Sequence, residues 1–404
     1  MSFQQGLSGL NGASKALDAI SNNVANSGTV GFKSAQAQFA DVFAASLAGG
    51  GGSQVGIGTS INQVAQQFTQ GNITVTNNPL DVAINGQGFF RMSNNGAITY
   101  TRNGQFLVDK NGYIVNAAGY RLTGYAADSA GTIIPAAPQD IFINTADLTP
   151  KTTTTADVGL NLDSRESVPS VAFNVANPLP QAYNASSSLT AYDSLGNPHV
   201  LTMYFRKTAN PGEWNIYTSL DGGTAVAGTN LQFNTSGALT AGTTQALSFA
   251  VTTGATTPLA FNLDFTGSTQ FGSPFGVNRM VQDGYASGRL SGVAIGTDGV
   301  VQGRYSNGQS RNLGQIVLAN FNNPNGLVSL GGNQWGESSD SGPPLVGAPN
   351  TGSLGVLQSA AVEESNVDLT AELVNMITQQ RAYQANAQSI RTQDQILQTL
   401  VNLR

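Results

Sequence analysis

The side chains that most often carry catalytic or metal chemistry are scarce in this sequence. It contains one histidine, His199, and no cysteine, which excludes disulfides, thiolate metal ligands and cysteine nucleophiles. His199 follows Asn197 and Pro198 in a turn ahead of an alternating run, a position that favours an exposed or locally hydrogen-bonded imidazole over a catalytic one. The adjacent acids Glu363 and Glu364 are interpreted as the solvated start of a helix.

The sequence lacks the motifs that mark nucleotide, zinc-protease, acyl-transfer and EF-hand calcium sites. Residues 56–58, Gly-Ile-Gly, resemble only a fragment of a dinucleotide-binding loop, because the third glycine and the following helix are missing. Two carboxylates could still converge in the fold as in a glycosidase, but no spacing in the sequence points to such a pair. We therefore expect no enzymatic activity, no cofactor and no metal.

The charge content is low for a chain of 404 residues. Only 10% of the residues are charged, against about 25% in ordinary globular proteins, and the net charge is −6. The basic residues are scattered singly, which argues against nucleic acid as a partner, and no apolar run approaches the roughly 18 residues of a membrane helix. The N-terminus has no secretory signal pattern, so neither Sec export nor membrane insertion is expected. A surface of amides, hydroxyls and glycine favours close packing of many copies.

Apolar residues at both chain ends repeat with the spacing of a coiled coil, and a helix must position each set. A heptad repeat with flanking apolar positions predicts a helix over residues 1–27, and its members are Phe3, Leu7, Leu10, Leu17, Ile20 and Val24. A 4-3-4-3 spacing predicts a second helix over 363–404, and its seam is Leu369, Leu373, Met376, Gln380, Tyr383, Ala387, Ile390, Asp394, Leu397 and Val401. Ser365 and Asp368 are expected to form a capping box at its start.

The first helix should not be stable alone, because Gly6, Gly9 and Gly12 each cost about 1 kcal/mol relative to alanine. Periodicity by itself allows two readings: amphipathic helices packed on a globular core, or a coiled coil between the chain ends. The terminal positions of the helices and the polar residues in their seams favour an assembly of many helices.

Between the helices, short β runs alternate with turn signals such as Asn95-Gly96, Asn103-Gly104 and Asn307-Gly308, so hairpins should dominate. The glycine run 49–52 with Ser53 has the composition of a flexible hinge. The predicted fold class is α+β, with paired terminal helices and nested, mainly-β middle and outer domains. The expected boundaries are a helical coiled-coil domain at 1–27 and 363–404, a linker arm at 28–75 and 356–362, a β-rich middle domain at 76–147 and 284–355, and a β-rich outer domain at 148–283.

Strings at both ends resemble the signatures of the axial proteins of the bacterial flagellar rod and hook. Residues 17–26, Leu-Asp-Ala-Ile-Ser-Asn-Asn-Val-Ala-Asn, with Gly31-Phe32-Lys33, resemble the N-terminal signature, and residues 365–369 and 380–386 resemble the C-terminal one. Residues 80–84, 88–90 and 100–104 are similar to the β domain of these proteins. The signature positions carried over are Asn22, Asn23, Ala25, Asn26, Gly31, Phe32, Asn366 and Asp368.

Within this family, the insertion at 148–283 looks like the outer domain of hook proteins, whereas rod proteins are usually shorter. The resemblance implies a structural subunit that polymerises into the hook, a flexible tubular universal joint carrying motor torque from rod to filament. It also implies the flagellar type III export apparatus, the distal rod protein, the hook cap and the hook–filament junction proteins as partners, and a location outside the cell. A distal rod or junction protein of the same family remains an alternative, as does a secreted β-rich adhesin.

Overall fold

The computed structural model describes residues 2–42, 56 and 58–402, so the predicted hinge at 49–53 lies outside the described residues. Helices α1 (Ser2–Ala25) and α2 (Leu369–Asn402) stand at the two ends of the described chain, and strands fill the sequence between them. The chain forms two compact units. The terminal unit comprises residues 1–144, 292–304 and 310–404, and the inserted unit comprises 145–291 and 305–309. The α+β class with paired terminal helices and a mainly-β middle is confirmed.

The terminal unit begins with α1 and ten strands. These are β1 (Ala35–Val42), β2 (Gly58–Gln66), β3 (Ile73–Val75), β4 (Val82–Asn85), β5 (Phe89–Asn94), β6 (Ala97–Thr101), β7 (Leu107–Val108), β8 (Ile114–Val115), β9 (Arg121–Ala126) and β10 (Gln139–Asp140). Strands β1 and β2 pair antiparallel in a separate two-stranded ribbon. The ribbon lies within 28–75, the range in which the sequence predicts a linker arm.

The inserted unit is built from eleven strands and one 3₁₀ turn at Pro180–Ala182. The strands are β11 (Thr155–Asp163), β12 (Ala185–Tyr192), β13 (Pro198–Lys207), β14 (Glu213–Leu220), β15 (Val226–Ala227), β16 (Leu231–Phe233), β17 (Leu239–Ala241), β18 (Thr244–Phe249), β19 (Leu259–Asp264), β20 (Thr269–Phe271) and β21 (Gly276–Gln282). A five-stranded sheet around β11 and a six-stranded sheet around β13 and β14 bury one shared apolar core, which includes Leu160, Phe205 and Trp214.

The chain then completes the terminal unit with nine strands, a 3₁₀ turn at Pro324–Gly326 and α2. The strands are β22 (Leu290–Ile295), β23 (Val300–Tyr305), β24 (Ser310–Ile316), β25 (Leu318–Asn320), β26 (Val328–Gly331), β27 (Gln334–Gly336), β28 (Leu345–Gly347), β29 (Val356–Ser359) and β30 (Ala361–Glu363). The main sheet has thirteen strands, with β22, β23, β24, β9, β5, β6, β27 and β26 as neighbours in that order. Two small sheets pair β4 with β29 and β3 with β30.

Aromatic side chains fill the core of the terminal unit. Phe89, Tyr100, Phe321 and Trp335 are buried together, and Phe68 packs edge-on against Phe89 and Trp335. The turn signal at Asn95-Gly96 joins β5 to β6 as a hairpin, with φ values of 50° and 94°. Asn103-Gly104 instead lies in a loop between strands that do not pair with each other.

Helix α2 begins at Leu369, six residues later than residue 363, where the sequence pattern placed the helix start. Residues 361–363 are drawn into β30 by antiparallel pairing with β3. Asp368 is the N-cap, since its Oδ1 accepts the N–H groups of Thr370 at 2.9 Å and Ala371 at 3.1 Å. The predicted capping box is therefore wrong in detail, because Ser365 does not hold the N-cap position.

Candidate assembly site

Helix α1 packs on α2 through its smallest residues. An added Cβ at Gly6 would lie 2.9 Å from Cγ1 of Ile390, and one at Gly9 would lie 2.8 Å from the side-chain amide of Asn386. The glycines therefore allow the two helix backbones to come close together. The sequence suggested only that they weaken the helix, and their packing role becomes visible once the partner helix is in place.

The buried face of α1 is a different stripe from the predicted heptad. Gly6, Ala13, Ala16 and Asn23 are buried at spacings of seven, three and seven residues. The predicted leucine positions flank this stripe: Leu10, Leu17, Ile20 and Val24 are half-buried, whereas Phe3 and Leu7 are exposed. Within one chain, the small residues make the intramolecular contact and most of the larger apolar side chains keep accessible surface.

Helix α2 leaves its apolar seam largely uncovered. Over the part of α2 whose side chains are described, residues 369–399, none is fully buried. Met376 and Ile390 are half-buried, and Ile390 lies beside Gly6 of α1. The remaining large seam residues are 38–50% exposed: Leu369, Leu373, Tyr383 and Leu397. The backbone of Val401 is helical, but its side chain lies outside the described residues. A helix of 34 residues thus presents apolar surface that a single chain does not cover.

The base of the helix pair contains a buried ion triad. The carboxylate of Glu363 receives Nζ of Lys33 at 2.5 Å on Oε1 and Nη1 of Arg102 at 3.1 Å on Oε2. The backbone N–H of Gly71 also donates to Oε1 at 2.8 Å. The side chains of Glu363 and Lys33 are fully buried. The interpretation of Glu363 as part of a solvated helix start is therefore wrong, although its neighbour Glu364 is exposed.

Burial and charge act in opposite directions on the two cations of this triad. Burial lowers the pKa of the Lys33 ammonium, and the negative charge of Glu363 raises it, with burial the stronger effect. The pKa of the Arg102 guanidinium is lowered for the same reason. Lys33 also donates to the carbonyl of Thr69 at 2.7 Å, which joins the segment after α1 to the segment after β2.

The family-signature residues lie around this triad and fasten its segments together. The amide of Asn366 accepts the N–H of Ser34 at 2.7 Å and donates to the carbonyl of Gln67 at 2.7 Å. Gly31 has φ +70° and donates its N–H to the carbonyl of Glu363 at 2.8 Å. A Cβ at Gly31 would lie 2.5 Å from the backbone nitrogen of Asn103, so only glycine fits there.

The remaining signature residues shape the end of α1. Asn26 donates from its side chain to the carbonyl of Asn22 at 2.9 Å, and its Oδ1 accepts the hydroxyl of Thr29. Ala25 is the last helical residue and is exposed, whereas Phe32 is buried. These contacts close the helix and turn the chain towards β1. Together with Asp368 at the start of α2, the signature residues form the junction between the helices and the strands.

Asn23 links all three elements that meet beside the triad. Its amide exchanges two hydrogen bonds with the backbone of Ala35, at 2.8 and 2.9 Å, and so holds β1 against α1. Its Nδ2 also donates to Oε1 of Glu372 at 3.0 Å, which ties α1 to the first turn of α2. Asn23 is 1% exposed, so these bonds form away from water, where they are strongest.

A polar cluster in the inserted unit surrounds His199. The imidazole is buried, with Nδ1 2.6 Å from Asp221 and Nε2 3.3 Å from Asp193. Burial lowers the pKa of His199, but the hydrogen bonds to Asp221 and Asp193 raise it by more, so the pKa lies above the ordinary histidine value. Asp193 also accepts hydrogen bonds from the side chains of Thr253 and Asn197, so the cluster links separate turns of the inserted unit.

Within residues 2–42, 56 and 58–402, no group of three or more His, Asp or Glu side chains is arranged to hold a metal ion. None of the helices in the described part of the chain has the length and hydropathy needed to cross a membrane.

Family models match four successive parts of this chain. They are described as flagella basal body rod protein (residues 3–33), flagellar hook protein FlgE/F/G D1 domain (83–148), flagellar basal body protein FlaE D2 domain (161–285) and flagellar basal body rod FlgEFG protein C-terminal (358–403). The paired terminal helices, the junction of signature residues and these matches define an axial protein of the flagellar rod and hook class.

Relatives that match over their full length show which family of axial proteins this chain resembles. The chain is 46% identical over 417 residues to flagellar hook protein FlgE of Escherichia coli K12, with 100% of both chains covered. It is 35% identical over 407 residues to the hook protein FlgE of Brucella suis, covering 100% of this chain and 98% of the relative. A crystal structure of Helicobacter pylori flagellar hook protein FlgE2 matches 72% of this chain with a TM-score of 0.52 at 13% identity, which supports the fold.

The chain belongs to the flagellar hook protein family. It is a structural component of the hook of the bacterial flagellum and is not an enzyme. Its place is in the flagellar axis, whose hook forms by self-polymerisation.

Proposed function

We propose that the copies of this chain are held together mainly by α1 and α2, and that the resulting tube bends while it carries torque from the rod to the filament. The observation that carries the proposal is the uncovered apolar seam of α2, together with the exposed Phe3 and Leu7 of α1. Water-exposed apolar stripes on paired helices are satisfied when further helices pack against them.

The surface available for this packing is large enough to drive assembly. A fully buried Leu or Tyr-sized side chain contributes about 1.5–3 kcal/mol, and four seam residues of α2 are about half exposed in one chain. Covering them would contribute roughly 3–6 kcal/mol per subunit before the contributions of α1, at half of the full burial value for each. Each 1.4 kcal/mol changes an association constant about tenfold, so this term alone spans several powers of ten.

We assign the inter-subunit contact to the seam residues predicted from the sequence. In α1 these are Leu7, Leu10, Leu17, Ile20 and Val24, and in α2 they are Leu369, Leu373, Met376, Tyr383, Ile390, Leu397 and Val401. The signature junction then has a mechanical role, since the buried triad and the Asn366 bonds connect the helices rigidly to the strands of the terminal unit. Torque applied to the helices reaches the sheet through these buried polar contacts.

We further propose a layered arrangement of the four sequence-derived domains. The helical segments 1–27 and 363–404 would line the inner wall, 76–147 and 284–355 would form a middle layer, and 148–283 would face outward. The arm segments 28–75 and 356–362 would connect the inner and middle layers. Weakly charged outer faces would make and break contacts of low energy as the tube bends.

The proposed partners follow from a position between rod and filament: the distal rod protein, the hook cap, the hook–filament junction proteins and the type III export apparatus. A chain without cysteine cannot be trapped by disulfides while it is threaded unfolded through a channel. The glycine-weakened α1 is consistent with helices that become stable only when a polymer buries them.

A charge placed in the seam tests the proposal. Leu373→Asp would put a carboxylate into the apolar contact between copies, so tube formation in a kosmotropic salt should be lost, as measured by sedimentation and electron microscopy. Because Leu373 is exposed in the single chain, the soluble variant should unfold at the same denaturant concentration as the wild type. Leu373→Met, which keeps the apolar volume, should assemble normally. Tubes from Leu373→Asp at the wild-type concentration would refute this assignment of the contact.

A further inference from the structure

A groove of about 330 Å³ lies between α1, β1 and α2 in the terminal unit. Half of its lining residues are apolar, among them Ala16, Ile20 and Phe39, and the other half are polar, including one acid, Glu372. A groove with both apolar and polar walls can accept a helix face that carries apolar side chains beside a polar or charged one.

The carboxylate of Glu372 is only partly satisfied in the single chain. Its Oε1 accepts the bond from Asn23, whereas its Oε2 is shielded from solvent and has no hydrogen-bond partner among the described residues. A buried carboxylate oxygen without a donor is costly, and an arginine fork is the side chain best suited to supply one. A helix face that carries apolar side chains and one cation would therefore be complementary to the groove.

The opposite face of α2 has this chemistry. Val374, Ile377 and Arg381 are spaced i, i+3 and i+7, which places them on one face of the helix. Val374 and Ile377 are 58% and 51% exposed, and Arg381 is exposed without an ion pair among the described residues. Arg381 follows Glu372 by nine residues, or about two and a half helical turns, so the two side chains leave α2 in opposite directions.

We propose that Val374, Ile377 and Arg381 of a second copy of this chain dock in the groove, with the guanidinium of Arg381 paired with the carboxylate of Glu372. The inference rests on the proposed function, since it names a second contact within the self-assembled polymer. The groove and the docking face are different surfaces on opposite sides of the helix pair. Such a head-to-tail contact relates each copy to the next by a fixed rotation and shift. If repeating this step does not bring the chain of copies back to the first one, the result is an open helical polymer.

The docking face on α2 differs from the predicted seam of α2, although Ile20 of the α1 seam also lines the groove. The seam runs from Leu369 through Leu373 and Tyr383, whereas the docking face runs from Val374 through Ile377 to Arg381. One helix would therefore engage neighbours through two faces, with the seam supplying apolar area and the charge pair fixing which copies meet and in what register.

Charge exchange tests the pairing. Glu372→Arg and Arg381→Glu should each raise the concentration needed for tube formation by about tenfold or more, because each leaves two like charges facing each other at the contact. The double variant Glu372→Arg/Arg381→Glu restores opposite charges and should assemble at a lower concentration than either single variant, although the loss of the acceptor for Asn23 keeps it above the wild type. Sedimentation at one fixed salt concentration measures all four proteins.

Two controls separate the pairing from general charge effects. Glu372→Arg combined with Arg391→Glu changes the same net charge but offers no partner, so it should assemble no better than Glu372→Arg alone. Glu372→Gln keeps an acceptor for Asn23 but removes the charge, so it should fold like the wild type and still assemble less well.

The outcomes are distinct from those of the proposed function. A wild-type chain that forms no tubes would refute the self-assembly proposal itself. A wild type that forms tubes, with single variants that assemble normally or a double variant that is not restored relative to the Arg391 control, would overturn only the pairing of Arg381 with Glu372.

Discussion

Replacement of Glu363 by glutamine is the perturbation whose effect follows most directly from the structure. The carboxylate is fully buried between Lys33 and Arg102 and also accepts the N–H of Gly71. Glutamine keeps one acceptor oxygen but turns an NH₂ group towards a cation. Glu363→Gln therefore leaves two buried positive charges without a counter-charge.

The cost can be given an order of magnitude. Removing one partner of a buried ion pair destabilises proteins by about 3–5 kcal/mol, because the remaining charge is desolvated and unpaired. A typical domain has a total stability of about 5–15 kcal/mol, so this change should bring the terminal unit near its unfolding threshold. The inserted unit has its own apolar core and should be unaffected.

The two tryptophans make the assay specific to each unit. Trp335 lies in the aromatic core of the terminal unit, and Trp214 is buried in the core of the inserted unit. Single-tryptophan chains made by Trp214→Phe or Trp335→Phe therefore report urea unfolding of one unit at a time. Glu363→Gln should shift the urea midpoint reported by Trp335 downwards and leave the midpoint reported by Trp214 in place. The expected shift is about 3–5 kcal/mol divided by the m-value, the slope of the unfolding free energy against urea concentration.

The neighbouring residue supplies the control. Glu364→Gln removes the same charge from an exposed side chain and should change stability by less than about 0.5 kcal/mol. A terminal unit that is already unfolded without urea in Glu363→Gln would agree with the reasoning. Two results would refute the view that the buried triad stabilises the base of the helices: a loss of unfolding free energy below about 1 kcal/mol in the transition reported by Trp335, or an equal loss in the transition reported by Trp214. Breaking a buried ion triad should cost several kcal/mol.

Two further predictions use the same fluorescence assay. Gly31→Ala should destabilise the terminal unit by about 2–5 kcal/mol, because alanine is strained in a left-handed backbone conformation and its Cβ would overpack against the loop after β6. Gly28→Ala is the control and should be nearly neutral, since its added Cβ meets open space. Equal effects of the two substitutions would contradict the close approach at Gly31. The pKa of His199 is raised by Asp193 and Asp221, so its contribution is complete below its unfolded value of about 6.5 and is lost as pH rises through the folded pKa. The Trp214 transition should therefore move to lower urea across that range, and His199→Gln should remove this dependence; an unchanged pH profile in the variant would assign it to other groups.

The sequence predicted the elements that depend on local patterns. The heptad spacings located both helices, and α1 ends within two residues of the predicted boundary. The alternating run that follows the turn at His199 marks β13, and Asn95-Gly96 marks the β5–β6 hairpin. In each case the signal and the structure lie within a few residues of each other, so no knowledge of the tertiary fold was needed.

The features that the sequence did not reveal depend on distant partners. Glu363 meets Lys33 and Arg102 across 330 and 261 residues, and its exposed neighbour Glu364 made the pair look like a solvated helix start. The packing face of α1 was missed because Gly6 and Ala13 carry little hydrophobic signal, although their small size lets the helices approach. Lys33 belongs to the Gly31-Phe32-Lys33 string, but its burial against the carboxylate of Glu363 depends on the tertiary fold and is not visible in that string.

The assignment of the leucine-rich seam to contacts between copies is a proposal. The sequence alone allows two interpretations of the seam, because its spacing does not say which helix it packs against. A seam of this spacing can face a partner helix within the chain or in another chain. The small-residue stripe takes the first role here, which leaves Leu373 and Tyr383 accessible for the second.

Hydrogen exchange of the soluble chain and of the assembled polymer is the most direct test of assembly through the terminal helices. The account predicts that amides of α1 and α2 exchange rapidly in the soluble chain, because helices with uncovered apolar faces open easily, and become strongly protected in the polymer. The strands of the inserted unit should exchange at similar rates in both states. Helix amides that are equally protected before and after assembly, or protection that appears only in the inserted unit, would contradict it.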